Sequence, residues 1–245
     1  MSTQRVAMWS GPRNISTAMM RSFENRPDCA VIDEPFYAAY LAQTGLEHPG
    51  RAAILASQPQ AWRDVADALC VDEPAALYYQ KHMTQHILPD MDLSFTESLC
   101  NCFLIREPRR IIASYARVRA EFTLDELGFA QQAALFEREC DRLGSVPPVL
   151  DAALTLANPR GVLTQLCARL SVPFDEGMLS WPRGPRDSDG VWAPHWYASV
   201  WSSTGFAAPA AVAEAESAAL DKAQGALCAQ AERFYERMLT HALRG

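Results

Sequence analysis

An α/β fold, a three-layer sandwich with a central, mainly parallel sheet flanked by helices, is predicted by three features of this sequence. Short apolar runs of strand length alternate with segments of helical period. The first run, Arg5 to Trp9, passes through a polar loop into a helical pattern, and a second run follows closely, as in a parallel crossover. Two later runs end in basic residues, and in open parallel sheets ligands bind outside the carboxyl ends of the strands.

Along the chain, RVAMW (5–9) reads as the first strand, Ser10 to Thr17 as the loop, and Ala18 to Phe23 as the start of a helix. CAVID (29–33) is a second strand that stops at Glu34-Pro35. Residues 36–59 carry small and polar side chains without a clear period and read as a flexible or partly helical cap, continued by a helix over 60–69. AALYYQ (75–80) is a third strand with Lys81-His82 at its end, and NCFLI (101–105) a fourth ending at Arg106. A helix over 108–119, a capping box at Thr123-Leu-Asp-Glu126 and a last strand over 149–156 follow. Asn158-Pro159 suits the start of a helix through Leu170. Residues 181–206 are dense in Trp, Gly and Pro and read as an irregular lid. The Ala-rich stretch over 209–243 is helical, with a break expected near Gly225. No linker or repeat divides the chain, so 1–245 reads as a single domain with a cap near 36–70 and the lid near 181–206.

Bulk properties narrow the function. A chain of 245 residues, 49% of them hydrophobic, can bury a full core. No run approaches the roughly 20 apolar residues of a membrane span, and no leader pattern opens the chain, so the expectation is a cytoplasmic protein without a membrane partner. Seven cysteines lack metal-ligand spacing and read as reduced thiols; no metal is expected. A net charge of −7 argues against nucleic acid, whose phosphates need a basic face. Only two lysines, Lys81 and Lys222, stand against twenty arginines, so a bound anion must be held mainly by arginine.

Ser10-Gly-Pro-Arg-Asn-Ile-Ser-Thr17 sits where a helix N-terminus offers unpaired N–H groups and a positive dipole end. It lacks the G-K-[S/T] ending of a Walker A loop. The loop resembles the 5′-phosphosulfate loop of sulfotransferases that use PAPS (3′-phosphoadenosine 5′-phosphosulfate), a superfamily with a P-loop-like sheet. The match falls on Arg13-Asn14-Ile15-Ser16-Thr17. By that resemblance Arg13 contacts the bridging oxygen of the donor, and Ser16 and Thr17 hold the 5′-phosphate. Ile15 stands where the family usually has Gly, and Ala18 where many members place an adenine-stacking Trp.

The family's 3′-phosphate motif has Arg at a strand end, Pro two residues on and Ser eight residues after the Arg. Arg106-Glu-Pro108 and Ser114-Tyr115 reproduce it; a guanidinium fork suits phosphate. Gly190-Val-Trp192-Ala-Pro-His195-Trp196 resembles a late family segment, whose upstream basic stretch is represented here by Arg186, with Arg183 as a substitute. Leu154 to Leu179 resembles the segment after the last core strand. The resemblance thus implies PAPS as donor, PAP (adenosine 3′,5′-bisphosphate) as product, and Arg13, Asn14, Ile15, Ser16, Thr17, Arg106, Ser114, Arg186 and Trp192 as donor ligands.

Sulfuryl transfer needs a base for the acceptor proton and positive charge at the leaving phosphate. Arg13 supplies the charge. For the base, Lys81-His82 resembles, with a spacing one residue shorter, the K-x-H segment of small-molecule sulfotransferases, and Glu34 resembles the carboxylate of bacterial and carbohydrate-modifying branches. His86 is a third candidate, and Lys81 assists the transferring group. The acceptor is a small molecule bearing a hydroxyl or amine, in a pocket drawing on Phe36, Tyr37, Tyr40 and the late Trp-rich loop. Two other readings stay open: a P-loop nucleotide-dependent kinase, and a catalytically degenerate PAPS/PAP-binding protein. Oligomeric state stays open as well, a homodimer included.

Overall fold

A computed structural model describes residues 3–119, 121–207 and 220–245. Five strands, β1 (Gln4–Ser10), β2 (Cys29–Asp33), β3 (Leu77–Met83), β4 (Cys100–Ile105) and β5 (Val149–Asp151), form one sheet in the order β2-β3-β1-β4-β5. Every pairing is parallel. Parallel strands bury both faces, and the alternation along β1 divides its side chains between two cores. Val6 and Met8 pack with Met19, Phe23, Val162 and Leu166 on one face. Ala7 and Trp9 pack with Phe103, Leu135, Phe136 and Met238 on the other. The first face is covered by α1 (Ser16–Glu24) and, later in the chain, Pro159–Arg169; the second by Phe129–Leu143 and the C-terminal helix Lys222–Leu239. This is the expected three-layer sandwich.

Between β2 and β3 the cap is helical, comprising α2 (Tyr37–Thr44), α3 (Arg51–Ser57) and α4 (Trp62–Leu69). After β4 come α5 (Pro108–Tyr115), α6 (Leu124–Leu127) and α7 (Phe129–Leu143). The Thr123 hydroxyl and the Glu126 side chain close the capping box at the start of α6, as the sequence predicts. After β5 come α8 (Ala152–Ala157), α9 (Pro159–Arg169), α10 (Ala193–Trp196) and α11 (Ala198–Trp201).

Several boundaries differ from expectation, three of them with a local cause. Strand β3 runs on through Met83, because Lys81, His82 and Met83 all pair in register with β1. The helix expected to reach residue 119 ends at Tyr115. The last strand stops at Asp151, whose carboxylate accepts the Leu154 N–H and so turns the chain into α8. Gly225 does not break the C-terminal helix: it lies in the first turn, its N–H bonded to Asp221 O at 2.8 Å, behind the Asp221–Gln224 capping box. The stretch expected to be helical over 209–219 lies outside the described residues. Among the described residues no helix is long and apolar enough to cross a membrane.

The late loop is fastened to α1 by a buried ion pair. The Arg21 guanidinium, 1% exposed, meets Glu24 at 3.0 Å and Asp189. Asp189 Oδ2 also accepts the Trp201 indole N–H at 2.9 Å. Just beyond the clamp, the Gly190 N–H donates to Asp33 at the end of β2, and Tyr197 Oη accepts from Lys81 in β3.

Candidate active site

The loop after β1 is shaped by residues about a hundred positions away. Arg13 has φ 54°, a left-handed conformation costly for a side chain with a Cβ. Arg106, at the end of β4, donates from Nη1 to the Arg13 carbonyl at 2.5 Å. The Arg13 guanidinium in turn donates from Nε to Ser114 Oγ on α5 at 3.1 Å. Asn14 ties the same turn to β4 through its amide, which donates to Leu104 O at 3.0 Å. Gly11 lets α6 come close, since a Cβ there would lie 2.8 Å from Leu127 O. Helix α1 then opens with no side-chain cap and no acidic residue in its first turn. Its N–H groups and dipole end are left for an anion.

Two cavities meet at this loop. The outer one, about 410 Å³, is lined by Arg13, Asn14, Ile15, Thr17, Ala18, Arg106 and Ser114, with Arg117, Trp196, Tyr197 and Phe206 on its far walls. Its size falls within the ~300–1,000 Å³ usual for small-molecule sites. The inner one, about 90 Å³, shares Arg13, Asn14, Thr17, Trp196 and Tyr197 with it and adds Ser16, Glu34, Lys81, His86 and Tyr115 among others.

Within the inner cavity a buried charge cluster is completed by Lys81. Its ammonium donates to Asp33 Oδ1 at 2.8 Å, Glu34 Oε1 at 2.6 Å and Tyr197 Oη at 2.7 Å. Asp33 is the better-satisfied carboxylate, since it also accepts the Tyr197 hydroxyl at 2.6 Å and the Gly190 N–H at 3.1 Å. With its proton on Asp33, the Tyr197 oxygen is left to accept from Lys81 and from the Trp192 indole at 3.1 Å. Glu34 is the carboxylate with capacity to spare. Burial raises its pKa above the ordinary value, Lys81 opposes the rise and Asp33 adds to it. Glu34 has φ 40°. Its N–H bonds to Lys81 O and its carbonyl to the Gln58 amide, which hold the turn. Lys81 itself is held in the ammonium form: burial lowers its pKa, but the two carboxylates outweigh that and raise it.

A family model described as "Sulfotransferase domain" matches residues 4–242. The chain belongs to the sulfotransferase-domain family. Two Arabidopsis thaliana proteins named branched-chain-amino-acid aminotransferase-like protein 1 and 2 are 36% and 33% identical to it over 205 residues, 83% of this chain. The chain spans only 37% and 36% of their lengths. In fold it is similar to the sulfotransferase domain of the Synechococcus PCC 7002 olefin synthase, with TM-score 0.59, 19% identity and 95% of each chain covered. It is likewise similar to the sulfotransferase domain from the curacin biosynthetic pathway, with TM-score 0.54, 15% identity, and 95% and 98% covered.

In this sulfotransferase-domain chain the structure brings Arg13, Asn14, Ile15, Ser16, Thr17, Arg106, Ser114, Glu34, Lys81 and His86 to the two cavities. It does not bring His82, Trp192 or Arg186 to them. Lys81 and His82 are neighbours in β3 and point to opposite faces. His82 stacks on Trp9 with centroids 4.1 Å apart and donates from Nε2 to Gln80 Oε1 at 3.1 Å. Burial lowers its pKa to about 3, so it is neutral and walled off. Trp192 is 1% exposed and packs in the core of the cap against Tyr37. Arg186 belongs to the Asp189 clamp, to which its N–H donates at 2.9 Å.

Tyr197, His48, Gln85 and Arg117 line the cavities without having been singled out in the sequence. Tyr197 follows directly on the matched segment that ends at Trp196, and Arg117 lies three residues past Ser114; those were the available signals. His48 has its pKa lowered to about 4 by burial and Arg119, and it shares a 2.7 Å hydrogen bond with Tyr37 Oη. Among the described residues no group of three or more His, Cys, Asp or Glu could hold a metal ion.

Proposed function

We propose that this chain is a PAPS-dependent sulfotransferase acting on a small hydroxyl or amine acceptor, with Glu34 as the base. The observation that supports this best is the meeting of an arginine-lined cavity with a carboxylate-bearing one along a shared wall that includes Arg13. The outer cavity and its border with the inner one fit the donor's chemistry: an uncapped helix start with Arg13, Ser16 and Thr17 for the 5′ end, and Arg106 and Ser114 for the 3′-phosphate. Trp196 and Phe206 offer aromatic faces for the adenine that Ala18 cannot stack. PAPS would supply the sulfuryl group, on a sulfur joined to the 5′-phosphate through oxygen.

On the protein side, Glu34 takes the acceptor proton on a carboxylate oxygen, its basicity raised by burial. Lys81 holds that carboxylate in place and offsets one of the cluster's two negative charges. Arg13 cannot give up a proton at neutral pH, so it stabilises charge on the leaving side by position alone. His86 also faces the inner cavity, but burial holds its pKa well below 6.5 and leaves it a weak base.

The relatives' name suggests transamination, which depends on a lysine that forms a Schiff base with pyridoxal phosphate. Of the two lysines here, Lys81 is held as an ammonium between two carboxylates, and Lys222 is exposed at the start of the C-terminal helix. Thermal-shift measurements with PAP, and with ATP plus magnesium, test the donor reading. Stabilisation by PAP is expected; stabilisation by ATP and not PAP overturns it. PAP binding without product from any acceptor, with PAPS present, would point to a degenerate binder instead.

A further inference from the structure

The inner cavity is too small to be the whole acceptor site. At about 90 Å³ it lies below the ~300–1,000 Å³ of pockets that enclose small molecules, and Glu34, Lys81 and Arg13 already line it. A third cavity of about 730 Å³ lies inside that range. Gln85 lines both. Tyr40, in the larger wall, lies against His86 of the smaller one with ring centroids 4.8 Å apart. The turn Thr84–His86 delivers Gln85 and His86 to the inner cavity, and the next two residues, Ile87 and Leu88, line the larger one.

The larger cavity has one-sided chemistry. Ile87, Leu88, Met91 and Leu93 form one wall, and α6 and α7 form the other. The ionisable acids on its surface are Asp125 and Glu126, and no Lys, Arg or His is among the described residues that line it. Glu126 is paired with Arg119 at 3.2 Å. The described lining offers an anionic ligand no lysine, arginine or histidine of its own, and its apolar side chains suit an uncharged apolar body. Gln85 separates the two spaces. Its side chain is buried and its Oε1 has no hydrogen-bond partner, so displacing it breaks no bond made by that oxygen.

We propose that the larger cavity holds the body of the acceptor, which is an alcohol carrying an extended, uncharged apolar tail. Its hydroxyl passes Gln85 to reach Glu34. This deepens the sulfotransferase reading above and rests on it.

The test uses the full chain, the straight-chain 1-alkanols from butanol to octanol, and the variant Ala134→Trp. Ala134 lies exposed on α7 in the cavity wall, so an indole there fills the space without entering the core. Alkanol affinity is measured with PAP affinity as a control, and turnover with PAPS is measured for the same series. Wild-type affinity and turnover efficiency should rise about threefold to fourfold per methylene. Ala134→Trp should flatten that rise and leave PAP binding within about twofold of wild type. Affinity independent of chain length, or a rise that Ala134→Trp leaves intact, overturns the tail site. Alkanols that bind with the expected rise, while shorter alcohols alone are sulfated, overturn the passage past Gln85. Failure of PAP to bind either protein overturns the donor reading instead, and the alkanol affinities still decide the tail site.

Discussion

Arg106 Nη1 donates to the carbonyl of Arg13 at 2.5 Å, so the residue matched to the 3′-phosphate motif also holds the left-handed turn of the 5′ loop. Under the proposed function, one guanidinium couples the loop's conformation to recognition of the donor.

Arg106→Lys should therefore weaken PAP binding on the order of 10- to 100-fold, because an ammonium cannot serve a carbonyl and a phosphate with the same planar fork. Calorimetric titration against PAP and against adenosine 5′-phosphosulfate, which lacks the 3′-phosphate, separates the two roles. Losses on both ligands are expected; a loss confined to PAP would show that the grip on Arg13 matters little.

Glu34→Gln should lower kcat by about 10²- to 10⁴-fold while PAP affinity holds. In the wild type, kcat/KM should climb as pH rises through the elevated Glu34 pKa, and the variant should lose that limb. Stability gives a second readout with a defined sign. A carboxyl whose pKa is raised on folding contributes fully below its unfolded value, and that contribution is lost as pH rises through the folded one. The melting temperature of Glu34→Gln should therefore gain on the wild type between pH 4 and 8. A constant gap across that window would argue against the raised carboxyl.

His82→Phe should keep kcat within about twofold, since the ring packs between Trp9 and Phe36, outside the reaction space. The same variant tests the acid limb of stability. A histidine with its pKa lowered to about 3 contributes fully above the unfolded value near 6.5. As pH falls below that value the contribution is lost by about 1.4 kcal/mol per unit. Denaturant titrations at pH 7, 6 and 5 should show a shallower decline for His82→Phe than for wild type.

Tyr197→Phe removes the acceptor shared by Lys81 and the Trp192 indole, and one donor to Asp33. Each buried group left without a partner costs about 1–3 kcal/mol. A fall in unfolding free energy of that size, with a larger loss in kcat than in PAP affinity, is the expected pattern. An unchanged kcat would show that the cluster does not set the Glu34 carboxylate.

Much of this arrangement was legible because strand ends, turn chemistry and spacing are local. The loop at Arg13, the strand ending at Glu34 and the Arg106–Ser114 spacing each point to the carboxyl edge of the sheet, where the cavities lie. His82 was misread because facing depends on strand parity. Once Lys81 pairs with Met8 and His82 with Trp9, the two must diverge, and which of them faces the cavity depends on the register. Trp192 and Arg186 lie outside the two cavities for reasons composition does not show: the Trp192 ring packs against Gly190, and the Arg186 backbone N–H is tied to Asp189. Gln85 and the larger cavity arise from packing among α2, α6, α7 and the 87–93 segment, which no window of sequence contains.

The scarcity of lysine gives the molecule two side-chain amines of opposite character. Lys222 stands in solvent, whereas Lys81 is sealed at 1% exposure among Asp33, Glu34 and Tyr197. An acylating reagent followed by peptide mass mapping should mark the first at once and the second only when the cluster opens. The rate at which Lys81 is marked would time any opening of the Asp33–Glu34–Lys81 cluster, readable without any label added by design.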